Sequence, residues 1–76
     1  MNISSHHEVL AYSAAVEAYR NGPVMHKGES ARVAAFCAIP AACGFYAASK
    51  AASRIANLAI QSEQDAAALR AAMAGR

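Results

Sequence analysis

The sequence predicts an all-α protein: a small alanine-rich bundle of about three helices, the C-terminal one longest, that associates with further copies of itself. Three observations predict it. The chain is 57% hydrophobic, yet 22 of its 76 residues are alanine, the strongest helix former and a poor source of buried area. Its apolar residues recur at steps of three and four, the helical period, rather than two. Its four glycines and two prolines mostly stand where helices would have to end.

Length supplies the reason to expect association. A chain of 76 residues is one domain, residues 1–76, and a globule of that size buries only roughly 60 to 65% of the surface its unfolded form exposes. A core this short contributes no more than about 3 to 5 kcal/mol. The missing area is expected to come from a second copy or a partner.

The first helix is expected over residues 5–21. Ser5 to Glu8 reads S-x-x-E, the capping box in which a serine oxygen accepts from the amide three residues on and the glutamate returns to the serine amide. Val9, Tyr12, Val16 and Tyr19 follow as an apolar stripe, widened by Leu10 and Ala15, with His7, Glu17 and Arg20 on the opposite face. Asn21-Gly22-Pro23 ends it, with glycine expected in the left-handed cap conformation. In the link that follows, Val24 and Met25 are expected to turn inward and His26, Lys27 and Gly28 outward.

The second helix is expected over about residues 29–39, starting near Gly28 to Ser30, with Glu29 at the positive end of its dipole and Val33, Phe36 and Cys37 on its buried side. Val33 to Tyr46 is the densest apolar stretch and carries no charge. Pro40 removes a backbone donor within it and Gly44 weakens any helix across it, which predicts a kink or turn over residues 40–44.

From Phe45 to Ala74 neither glycine nor proline occurs, so a long helix is expected over about residues 45–74, with a possible bend near Ser62, where Gln61 to Asp65 is polar on every side. Ala48, Ala52, Ile55, Ala59, Ala66, Leu69 and Met73 recur along it at three- and four-residue steps, with Ser62 filling the gap. Alanine in such a seam lets two helix backbones approach closely, within the chain or between copies, and these seven residues are the candidate oligomer seam. Lys50, Arg54, Asn57 and Gln61 form a polar stripe on another face.

Charge and composition set several chemistries aside. The net charge of +2 is scattered singly, without a basic tail or block. Cys37 and Cys43 are expected as free, buried thiols in a reducing, cytoplasmic compartment. MNISSHHEVL lacks the features of a secretory signal. His6, His7, His26, Cys37, Cys43 and Glu8 form no ligand spacing, so no metal is expected. No nucleophile elbow or phosphate loop frames the serines and histidines, so neither catalysis nor a cofactor is expected.

Three uses of the surface remain. The favoured one is a non-enzymatic, homodimeric protein-binding module that occupies a partner protein stoichiometrically, as an inhibitor or adaptor of the kind phages and mobile elements encode. Tyr46, Lys50, Arg54, Asn57, Tyr12 and Tyr19 are the candidate partner-binding residues, because aromatic and arginine side chains bring large contact area at low entropic cost. Tyr12 and Tyr19 fit equally well as core residues with their hydroxyls at the edge. The second use is a helix-turn-helix DNA reader presenting Ser49, Lys50, Ser53 and Arg54, disfavoured because two cations are few for phosphate binding. The third is membrane association, disfavoured because the uncharged run is shorter than the roughly 20 residues of a span.

Overall fold

In the computed structural model, which describes residues 3–75, three α-helices run up, down and up: α1 (Ser5–Asn21), α2 (Lys27–Cys37) and α3 (Phe45–Ala74). Two ion pairs fix the relative direction of α1 and α3. Glu8 meets Arg54 near the start of α1 and Arg20 meets Glu63 near its end, so the two helices ascend together. Between them α2 descends. A Cβ placed on Gly28 near its start would stand 3.8 Å from Ile60 Cδ1. At the other end, the Phe36 and Phe45 rings meet edge-on with centroids 5.6 Å apart.

The core is almost entirely alanine. Ala11 and Ala15 of α1, Ala31 and Ala35 of α2, and Ala56 and Ala59 of α3 have no exposed surface, and Ala48, Ala51, Ala52, Ile39 and Ile55 complete the cluster. Side chains this short bring helix backbones close together, which leaves no room between them for larger ones. That closeness overturns several expectations. On α1 the inward positions are Ala11 and Ala15; Tyr12, Val16 and Tyr19 are half-buried at the edge, and Val9 and Leu10 are exposed. On α2 the inward positions are Ala31 and Ala35, with Phe36 half-buried and Val33 and Cys37 exposed. Both thiols are free, but Cys37 is exposed and Cys43 only half-buried, so neither is the buried hydrophobe expected.

Helix ends also differ in detail. Ser4, not Ser5, caps α1: the His7 amide donates to Ser4 Oγ at 3.3 Å, and that oxygen lies 2.7 Å from His7 Nδ1. Glu8 is thereby free to reach across to Arg54 rather than back to Ser5. Gly22 is extended (φ −74°, ψ 158°), not left-handed. Glycine is needed there for space, because a Cβ would meet the Ala18 carbonyl oxygen at 2.7 Å.

Val24 and Met25 form an outward-facing 3₁₀ turn with His26, each 87% exposed, the reverse of the inward placement expected. That turn runs directly into α2, which therefore starts at Lys27, two residues earlier than expected. It stops at Cys37, because a residue preceding proline is driven out of the α conformation and Ile39 precedes Pro40.

The stretch 38–44 reverses the chain rather than kinking it. A second 3₁₀ turn covers Ala41–Cys43, and Gly44 at φ 89° and ψ 144° turns the backbone into α3. Of the apolar stretch Val33 to Tyr46, only Ala35 and Ile39 are buried. α3 then continues through Ser62 as one helix, and at 30 residues it is about 45 Å long, nearly the full 49 Å length of the molecule. No strand occurs among the described residues, and no described helix is long and apolar enough to cross a membrane.

Candidate protein-binding surface

With alanines inside, the larger apolar side chains are left outside, and two grooves collect them. The first lies between α1 and α3. Ser5, Glu8, Val9 and Tyr12 line it from α1, and Arg54, Ile55 and Leu58 from α3. Val9 is 63% and Leu58 60% exposed. Across its lower end the Arg54 guanidinium donates from Nη2 to Glu8 Oε1 at 3.2 Å. The result is an apolar trough about two helical turns long, gated at one end by an ion pair that water reaches.

Beside it, on the outer face of α3, Tyr46, Ala47, Lys50, Ala51 and Arg54 form a second patch, with Tyr46 79% exposed. Asn57 and Gln61 continue that edge in solvent, and Gln61 Nε2 donates to Asp65 Oδ1 at 3.0 Å. Arg54 belongs to both patches. The fold thus joins Tyr12, Tyr46, Lys50, Arg54 and Asn57 into one continuous surface. Tyr19 stands apart at the far end, where Lys27 Nζ lies 5.4 Å from its ring centroid in a cleft shared with Arg20, Glu63, Ala67 and Arg70.

Sequence reasoning did not single out Val9, Leu58 or Glu8 for this surface. By its spacing Val9 belongs to the apolar stripe of α1. Leu58 carried a readable signal: it is a large apolar residue outside the alanine seam, three positions after Ile55.

The candidate seam divides. Ala48, Ala52, Ile55 and Ala59 are buried against α1 and α2 of the same chain, so they are closed to a second copy. Ala66 is half-buried, and Leu69 and Met73 are exposed beyond the ends of the other helices. The second apolar groove, between α2 and α3, holds Val33, Phe36 and Phe45, flanked by Glu29, Arg32, Ser49 and Ser53.

The electrostatics are plain. Among the described residues no side-chain polar atom is buried without a hydrogen-bond partner, and no three His, Cys, Asp or Glu side chains gather as metal ligands would. One pair perturbs itself: hydrogen bonding to Arg20 holds the Glu63 carboxyl below the usual carboxylate range, helped by the charges of Arg20 and Arg70 and opposed by partial desolvation, and raises Arg20 in turn. This pair ties α1 to α3.

Comparison with known proteins finds no matching family model, no matching curated protein and no matching solved structure. What the surface offers is an apolar trough with exposed aliphatic walls, a tyrosine on its floor, and cationic and hydrogen-bonding groups along one rim. Grooves of this make-up, apolar walls with a polar rim, are the kind that helix-in-groove recognition uses.

Proposed function

We propose that the protein is a small non-enzymatic binding module, cytoplasmic and homodimeric, that occupies a partner protein stoichiometrically as an inhibitor or adaptor. Its α1/α3 groove receives an amphipathic helix of that partner. One observation carries the reading: the chain buries alanine and exposes valine and leucine, beside a half-buried tyrosine, in a groove between two helices. A folded monomer gains nothing from that arrangement, whereas a partner helix would bury Val9 and Leu58 at roughly 1.5 to 3 kcal/mol for each side chain fully covered. Tyr12, Tyr46 and Arg54 supply the anchors, and Lys50 and Asn57 the polar rim.

The test compares four forms of the chain as bait in the native host, with bound protein identified by mass spectrometry. Leu58→Asp and Val9→Asp are expected to keep the helical circular dichroism and lose the partner. Val24→Asp, in the turn between α1 and α2 and away from the groove, is expected to keep both. A partner retained by Leu58→Asp and Val9→Asp would refute the groove.

A further inference from the structure

Each of the three helices brings a cation to one cleft at the upper end of the bundle. Arg20 stands in the last turn of α1, Lys27 is the first residue of α2, and Arg70 comes from α3. On α3 Glu63, Ala67 and Arg70 follow at steps of four and three, so they share one face. Ala67 is the short residue between two long ones, and a hollow of about 400 Å³ opens there with Tyr19 among its walls. That volume falls within the roughly 300 to 1,000 Å³ of small-molecule sites.

The cleft holds the whole net charge of the chain. Of seven basic and five acidic residues, three and one line it, and the four of each sign elsewhere cancel, which leaves the net +2 here. The one acid is already engaged. Both Glu63 oxygens accept from Arg20 at 3.0 Å, and its side chain keeps only 12% exposure.

The other two cations are not neutralised. Among the described residues neither Lys27 nor Arg70 makes an ion pair. Lys27 is half-buried with its ammonium 5.4 Å from the Tyr19 ring centroid, a contact that positions a cation without cancelling its charge. Arg70 is exposed, yet close enough to Glu63 that its charge helps hold that carboxyl down. Arg20 uses two of its five N–H donors on Glu63 and turns the rest toward water.

This surplus selects the ligand. Two uncancelled charges and a set of free donors match a dianion with several acceptor oxygens, and a phosphoryl group brings a charge of about −2 and three strong acceptors. A carboxylate brings half of that charge. The arginine fork takes phosphate oxygens two at a time, and lysine adds a point charge. A nucleic-acid backbone fits poorly, because it needs cations spaced along a path and the charges outside the cleft balance.

We propose that the cleft between Tyr19, Lys27 and Arg70 binds a phosphoryl dianion, free or carried by a small molecule, with Lys27 and Arg70 holding its oxygens and Arg20 donating beside them. The site lies two helical turns along α1 from Tyr12 and stands independently of the α1/α3 groove.

NMR titration of amide signals of the full chain tests this, with inorganic phosphate, glycerol 3-phosphate and sodium chloride compared at matched ionic strength. Both phosphates are expected to shift Lys27, Ala67 and Arg70 to saturation with millimolar affinity, and chloride to leave them in place. Equal affinity for the two phosphates would mean that the free anion suffices, and tighter binding of glycerol 3-phosphate that the hollow also holds the carried group. Lys27→Gln and Arg70→Gln are each expected to weaken binding about tenfold with helicity retained. Lys50→Gln removes the same charge from the outer face of α3 and is expected to change nothing. Arg70 is exposed, so Arg70→Gln reads binding even where Lys27→Gln disturbs the packing on Tyr19. Shifts that grow without saturating, equal weakening by Lys50→Gln, or full affinity in Arg70→Gln would each overturn the proposal. A tetraglutamate peptide that saturates the cleft while both phosphates fail would make it a contact for an acidic protein and overturn it as well.

Discussion

Arg20 holds Glu63 in a two-pronged grip, Nε to Oε2 and Nη2 to Oε1, each at 3.0 Å, across 43 residues of sequence. The pair ties the end of α1 to α3. Below it the helix has α1 and α2 alongside; above it Ala66 stays half-buried and Ala67 and Arg70 share a cleft with Tyr19 and Lys27 before the helix runs on into solvent. Its pH dependence follows in sign from the depressed Glu63 carboxyl. A group whose folded value lies below its unfolded one stabilises the fold above the ordinary glutamate value of about 4.3, and that contribution is lost as pH falls through the folded value.

Carbon-detected NMR titration of the Glu63 carboxyl is therefore expected to show a midpoint below the ordinary glutamate range, returning toward it in Arg20→Ala. The thermal midpoint of the wild type should fall as acid is added through this range. In Glu63→Gln the corresponding share of that fall should be missing, and an identical acid profile for the two proteins would show that the grip does not stabilise the fold.

The alanine core predicts an unusual mutational pattern. Enlarging Ala15, Ala35 or Ala56 to leucine inserts side-chain atoms where helix backbones already touch, and is expected to cost about 1 to 3 kcal/mol. Shortening Val24 or Met25 to alanine removes atoms that face water and should stay within about 0.5 kcal/mol of wild type. Urea unfolding followed by circular dichroism measures both.

Gly44 sits at φ 89° and ψ 144°, and nothing lies within 4 Å of the place a Cβ would take. Space is available there, but the backbone region is one that only glycine enters freely. Gly44→Ala is thus expected to destabilise by about 1 to 3 kcal/mol through strain alone. An unchanged denaturation midpoint would mean that the turn between α2 and α3 can relax to a different path.

The start of α1 separates two serines. Ser4→Ala removes the oxygen that accepts from the His7 amide and should cost about 1 kcal/mol. Ser5→Ala should cost almost nothing, since its side chain makes no capping bond. Equal losses at both positions would restore the capping box at Ser5 and Glu8.

The existence of three helices and the breaks between them were legible in local residue types. Asn21-Gly22-Pro23 and the Pro40 to Gly44 interval break the chain because proline lacks a donor and glycine resists helix, and the run from Phe45 to Ala74 contains neither. Those effects act within a few residues, so they are legible without a fold. Part of the candidate surface was legible in the same way, since Lys50, Arg54 and Asn57 fall on a polar face of one helix.

Which apolar residues would be inside was decided only by the tertiary structure. Val9, Leu58 and Val33 outrank alanine in hydrophobicity, and a reading by residue type sends them to the core. The helices instead meet through Ala11, Ala15, Ala31, Ala35, Ala56 and Ala59. Burial depends on how closely backbones approach, and once alanines set that distance no larger side chain fits between them. The union of Tyr12 with Arg54 and the ion pair of Glu8 follow from that spacing, which belongs to three helices packed together and to none of them alone.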